Sequence, residues 1–459
     1  MLHRWIKLCV VCLTLVAMRT AVAKRPAAAP TPATALVDYV AAPDDSYDWK
    51  LRRSGKFAQG SYVELTLTSQ TWRDQKWRHQ LYIYRPSKVT PTAGALMLIN
   101  GGSWNDSLAR PAAEGNHNLP SETVLIAQVA EALQTPVAIL CQVPEQPLFD
   151  GLREDAAISY TFTKFVETGD VDWPLLLPMV KSAVRAMDAV EEFAGQQWEL
   201  DIDTFLITGA SKRGWTTWLT AAVDPRVSAL APLVINMLNM EPHMELQQAS
   251  FGGLSDEIRD YTERGMHKLM KSPRGVALRT IVDPYSYLQQ ISQPKLIILG
   301  TNDRYWPVDS LNLYWNALAG EKHILYVPNN GHDITDYPRV IGAIAALYRS
   351  ACVEGAMPKF DWQFDEEQDT VRLQLSLEDE PLEVVAWSAK SPTRDFRTSR
   401  WTSQAAAANG KQSYSIKFPR PSKGYAALFA EVKFPGEPLP VHLSSGLRVV
   451  EPVSPSSLP

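Results

Sequence analysis

The chain has 459 residues, 45% of them hydrophobic and 21% charged, an ordinary globular balance with apolar material for a large core and two or three domains. The net charge is −5 and no basic run is present, which excludes nucleic acid or an anionic membrane surface as the main partner. No Cys or His spacing of a metal site occurs, so no metal and no other cofactor is expected.

Residues 1–23 read as a secretory signal. His3, Arg4 and Lys7 flank an apolar run from Leu8 to Met18, and Ala21-Val22-Ala23 supplies a small-residue cleavage site before Lys24. The run is short for a membrane span. The expectation is an exported protein, periplasmic or extracellular, with no stable span after cleavage. Cys9 and Cys12 leave with the leader. Cys141 and Cys352 remain, either paired in an oxidising compartment or as two separate buried thiols.

Residues 24–37, rich in Ala and Pro, read as a flexible lead-in. Tyr62–Thr68 and Arg78–Tyr84 alternate at period two and predict antiparallel strands at a sheet edge. Buried strands then alternate with helices. Strands are expected at 95–99, 136–141, 205–208, 227–235, 294–299 and 324–327. Helices are expected at 123–133, 154–167, 175–195, 212–222, 311–318 and 340–348. Residues 237–290 break the rhythm and read as a lid over the strand ends. This pattern predicts an α/β domain over 38–357, a mostly parallel sheet with helices on both faces. From 358 to 459 the alternation of Val371, Leu373, Leu375 and Leu377, with further strands at 383–387, 413–418 and 425–434, predicts an all-β sandwich of roughly 100 residues.

The chemistry is carried by Phe205-Leu206-Ile207-Thr208-Gly209-Ala210-Ser211-Lys212-Arg213-Gly214-Trp215, an apolar strand running into small residues, a serine and a helix. That is the reading of a sharp turn exposing a nucleophilic hydroxyl, although Arg213 stands where the second glycine of G-x-S-x-G belongs. Serine needs a base, and the base needs a group to hold its tautomer. Asp303 follows the strand at 294–299 and His332 follows the one at 324–327, giving the order Ser, Asp, His. The bland alternatives are a helix N-cap for Ser211, an Asx turn for Asp303 and an exposed turn for His332. Oxyanion donors are expected from the Lys212 N–H and from the loop Asn100-Gly101-Gly102-Ser103-Trp104, at Ser103 or Trp104, with Gly102 giving close approach to a ligand. Lys212 and Arg213 oppose the helix dipole. Either one of them faces the substrate or they pair with buried acids such as Glu154 or Asp155. Trp104 and Trp306 are candidate pocket walls.

With these residues in hand, the chain resembles the PhoPQ-activated pathogenicity-related protein family. The resemblance rests on Gly209-Ala210-Ser211-Lys212-Arg213-Gly214-Trp215-Thr216-Thr217-Trp218, on Asp224-Pro225-Arg226-Val227, Asn100-Gly101-Gly102-Ser103, Pro147-Leu148 and Gly300-Thr301-Asn302-Asp303, and on Asp395-Phe396-Arg397. It spans residues 38–450. Glu145 departs from an asparagine associated with the family there. The family is similar to α/β-hydrolases, is generally exported, and carries a name that refers to an envelope-stress two-component system and a link to antimicrobial-peptide resistance. The resemblance implies nucleophile Ser211, acid Asp303 and base His332. The expectation is an exported serine hydrolase of a small ester or peptide substrate. The alternative is a secreted binding or signalling protein that keeps the fold with an idle triad.

Overall fold

The alternating residues of the amino-terminal third pair as a meander in the computed structural model, which describes residues 31–90, 94–111, 119 and 123–453. The signal at 1–23 lies outside the described residues. Helix α1 (Ala35–Ala41) occupies the end of the expected lead-in, because Ala35 and Leu36 are buried. Strands β1 (Asp48–Phe57), β2 (Gly60–Trp72) and β3 (Gln75–Arg85) run antiparallel, with Leu65 opposite Leu81. β1 had no apolar alternation to announce it. It is an edge strand paired only with β2, and Lys50, Arg52, Arg53 and Lys56 give it the charged character that protects such an edge.

β3 then pairs antiparallel with β5 (Val137–Leu140), and the rest of the sheet is parallel. The order is β1-β2-β3-β5-β4-β6-β7-β8-β9, with β4 at Ala95–Ile99, β6 at Phe205–Ala210, β7 at Val227–Leu233, β8 at Lys295–Gly300 and β9 at Lys322–Val327. These central strands are short apolar runs because both faces are covered. Met97, Phe205, Ile207 and Ile297 join one core with helices α3 (Glu154–Thr168), α4 (Leu176–Trp198) and α5 (Lys212–Val223). Leu96, Leu206, Ala229 and Ile298, one residue out of phase, join the other with α2 (Thr123–Leu133) and α10 (Tyr337–Cys352).

The break in rhythm after β7 is helical: α6 (Met240–Phe251), α7 (Arg259–Thr262), α8 (Met266–Leu269) and α9 (Pro273–Val282). The expected helix at 311–318 is instead two 3-10 turns, 310–313 and 315–317. Tyr314 breaks it at φ −140°, drawn inward by a 2.9 Å bond from its hydroxyl to Asn236 Oδ1, and Lys322 Nζ takes up the carbonyls of Trp315 and Leu318.

The tail forms two antiparallel sheets. One holds β10 (Phe360–Glu366), β11 (Thr370–Leu377), β15 (Ser413–Pro419) and β14 (Ala407–Gly410); the other holds β13 (Thr402–Ala405), β12 (Glu383–Ser391), β16 (Tyr425–Phe434) and β17 (Val441–Ser444), with β18 (Arg448–Val450) on β16. The whole is an α/β-hydrolase fold with a helical insertion and a carboxy-terminal β pair. Cys141 and Cys352 are separate buried thiols, the latter 3.0 Å from the Ser228 hydroxyl.

Candidate active site

β6 is the sheet's central parallel strand, and its carboxyl end turns directly into α5. Ser211 sits at that turn with φ 56° and ψ −124°, a region L-residues rarely occupy and keep only where the surroundings force it. What forces it is contact. A Cβ on Gly209 would lie 2.7 Å from the Arg213 carbonyl oxygen, and one on Gly214 would lie 2.9 Å from the Gly209 oxygen. The glycine missing from the expected motif is therefore supplied one position later, where helix and strand meet. Ser211 N–H donates to Leu233 O at 2.9 Å, and the first helical bond is Trp215 N–H to Ser211 O, leaving the Lys212 N–H ahead of the ladder.

β8 and β9 end on the same rim. The loop after β8 carries Asp303 and the loop after β9 carries His332. His332 Nε2 is 2.8 Å from Ser211 Oγ, and His332 Nδ1 is 2.9 Å from Asp303 Oδ2. Asp303 is buried, and its other oxygen accepts the Tyr305 N–H at 2.8 Å, which fixes the carboxylate plane. The Tyr305 ring lies over the imidazole, 4.1 Å between centroids at 31°. In such a chain Nδ1–H donates to the carboxylate and Nε2 is left to take the serine proton.

The two loops are braced from the tail. Asn302, beside the acid, donates its amide to the carbonyls of Phe396, Arg397 and Ser399 at 3.3, 3.2 and 2.7 Å. Asn329, three residues before the histidine, bonds the Trp401 main chain both ways at 2.8 and 3.1 Å. Thr301 Oγ1 joins them, accepting the Asn329 N–H and donating to Asn302 Oδ1. No sequence signal pointed to Tyr305 or Asn329 in these positions, and Asn302 stood in the Gly300–Asp303 string without a role, because each acts through a partner distant in the chain.

Ser211 opens on two spaces. The first is a polar cleft lined by Asn100, Gly101, Gly102, Glu154, Arg213 and Asp333. Gly102 has φ +120°, which requires glycine, and it faces Gln142. Trp104 is a correction. Its N–H is donated to Gln146 O at 3.2 Å, and its ring lies under the Arg78 guanidinium at 4.8 Å, so it is neither an oxyanion donor nor a wall beside Ser211. The Ser103 hydroxyl accepts from Arg153, and the residues that line the cleft from this loop stop at Gly102. The second space is apolar, between α5 and the insertion, and Trp306 lines it, with its indole N–H on Val234 O at 3.3 Å.

The two cations after the serine are paired with acids of α3. Arg213 makes 2.8 and 2.7 Å bonds to Glu154, and Lys212 Nζ is 2.8 Å from Asp155. Burial would raise the Glu154 carboxyl, but the Arg213 hydrogen bonds and charge, with Gln146 and Lys212, hold it down at about 2. Glu145, buried nearby, goes the other way. Burial pushes it up to about 7 against the opposing Arg78 N–H and guanidinium. Among the described residues no helix is long and apolar enough to cross a membrane.

Among known proteins, autocrine proliferation repressor protein A of Dictyostelium discoideum is 33% identical over 435 residues, covering 87% of this chain and 86% of its own. An acetyl esterase of Xylanibacter ruminicola is 28% identical over 151 residues, 33% of this chain and 31% of its own. Acetyl xylan esterase 1 from Thermoanaerobacterium sp. superposes with a TM-score of 0.48 at 15% identity, over 70% of this chain and 92% of that one. A glucuronoyl esterase from Solibacter usitatus gives 0.41 at 14%, over 69% and 91%. At such identities these are likenesses of chain path only. A family model described as PhoPQ-activated pathogenicity-related protein matches residues 36–397, ending inside the turn that braces the two loops. This chain therefore belongs to the PhoPQ-activated pathogenicity-related protein family.

Proposed function

We propose that the chain is an exported serine hydrolase that cleaves an acyl ester or amide through an acyl-enzyme. The observation that carries this reading is the hydrogen-bonded series Ser211–His332–Asp303, at 2.8 and 2.9 Å. Ser211 Oγ attacks the carbonyl carbon as His332 Nε2 takes its proton. The Asp303 carboxylate stabilises the imidazolium and holds its orientation. The oxyanion is held by the Lys212 N–H at the start of α5 and by the N–H of Gly102 in the facing loop. The imidazolium then gives its proton to the leaving oxygen or nitrogen, and water repeats the sequence to free the acid. Export rests on the leader at residues 1–23. We infer a role in envelope stress from the resemblance to a PhoPQ-activated family.

The name of the Dictyostelium relative favours a second reading, a secreted signalling protein with an idle site. One experiment separates the two. A fluorophosphonate probe should label the folded wild type, and Ser211→Ala should abolish labelling and lower ester turnover by about 10⁴-fold or more. A well-folded wild type that takes no label supports the signalling reading instead.

A further inference from the structure

The two spaces that meet at Ser211 are chemically unlike, and that contrast assigns the halves of a substrate. Beneath the lid lies a chamber of about 100 Å³. Its floor is Trp215, and Met237, Met240, Met244, Met266 and Met270 from the insertion surround it. Five of the chain's 11 methionines thus lie within one segment and face one cavity. Thioether side chains are unbranched and polarizable, and they adapt to the shape of an apolar guest.

Most polar groups in the wall are already engaged, while His267 Nδ1 is buried without a hydrogen-bond partner among the described residues. Asp155 accepts from Lys212 Nζ at 2.8 Å and from the Tyr261 hydroxyl at 2.9 Å. Arg279 is held by Glu241 at 2.8 Å and by Met270 O at 3.2 Å. The Trp215 indole N–H is on Val282 O at 2.5 Å. Burial and then the neighbouring Lys268 charge both disfavour the protonated His267 imidazole, so it adds no cation. On the other side of the serine, the cleft of about 450 Å³ is lined by Asn100, Arg213 and Asp333.

We infer that the Met-lined chamber binds a compact, uncharged apolar acyl group, while a polar alcohol occupies the Asn100–Asp333 cleft as the leaving group. This rests on the hydrolase reading above. Size sets the class. An apolar cavity of roughly 150 Å³ holds a benzene ring, so a cavity of this order takes an acyl chain of about four to six carbons and excludes a long fatty chain. The Ser211 Oγ–carbonyl bond forms as the proton passes to His332. The carbonyl–oxygen bond to the alcohol breaks as that proton returns to the departing oxygen. Water then releases the carboxylic acid.

The test is kcat/KM of the full chain on p-nitrophenyl acetate, butyrate, hexanoate and laurate, with fluorophosphonate labelling run in parallel. The expected result is a rise of up to fourfold per added methylene from acetate to hexanoate, the fold-change of ~0.8 kcal/mol per buried CH₂, and a fall at laurate. Met244→Phe and Met266→Phe, on separate helices, should each lower the hexanoate-to-acetate ratio by tenfold or more. A labelled enzyme that prefers acetate, or treats all four esters alike, overturns the chamber assignment and leaves the hydrolase reading standing. A folded protein with neither labelling nor turnover overturns both.

Discussion

Glu145 shows at the scale of one residue how burial sets charge. The residue is 3% exposed and its carboxyl accepts the Arg78 N–H at 2.9 Å, yet its folded pKa lies near 7 against an ordinary 4.5. A carboxyl raised in this way contributes stability that is fully present below pH 4.5. That contribution is lost as pH rises through 7, because the folded state then gives up a proton the unfolded chain has already lost. Glu145→Gln keeps the neutral shape, so the wild type should lose stability relative to the variant between pH 4.5 and 8. The difference should reach about 1–3 kcal/mol, at ~1.36 kcal/mol per pKa unit. Paired thermal melts at pH 5 and pH 8 read it directly; an unchanged gap between the two proteins would contradict it. The sequence marked position 145 as unusual for the family but gave no account of it. The cause is three-dimensional, since Arg78 lies 67 residues earlier on β3.

Lys212 and Arg213 teach the same lesson from the opposite direction. Their position against the helix dipole signals a compensating partner, and Glu154 and Asp155 were nameable as candidates from the letters alone. Choosing between those acids and a substrate required α3 to be laid beside α5. Ser211, Asp303 and His332 could be singled out because each follows a strand. Tyr305 over the imidazole could not, since nothing local distinguishes a stacking tyrosine from a core one.

At the scale of elements, the parallel strands were readable because strands buried on both faces are short apolar runs between turn residues. β1 was hidden by its charge, and 311–318 read as a helix because its apolar spacing reflects Tyr314 and Leu311 turned inward from 3-10 turns. The turn at 392–401 matters most here. Asn302 and Asn329 place both rim loops against it, so Asn302→Ala should leave a folded protein whose acid and imidazole drift. The expectation is a drop in kcat of about 10- to 100-fold, with KM near the wild-type value. A shifted imidazole resonance in the NMR spectrum should accompany it. Equal loss in the Michaelis constant, with kcat kept, would instead mean that Asn302 serves substrate binding.

Across the whole molecule, the tail is built into the hydrolase core. Arg339 of α10 reaches buried Glu431 of β16 at 2.8 Å, and Tyr326 N–H of β9 donates to Ser444 Oγ of β17 at 2.9 Å. Phe396, Trp401 and Phe429 join the same apolar cluster as Ile207 and Ile297. Calorimetry of the full chain should therefore give one cooperative transition, and a chain ending at residue 357 should fail to yield native protein. Two well-separated transitions would show that the tail folds independently.

On the tail, the bracing amides touch only main-chain atoms: three carbonyls for Asn302, and the N–H and carbonyl of Trp401 for Asn329. These contacts are blind to which side chains stand at 396, 397, 399 and 401. Descendants of this protein can accordingly drift in spelling at 398–400 while inheriting the path, whereas Phe396 and Trp401 are fixed by the apolar core they fill. Kinship at the rim would persist as shape after it had faded as text.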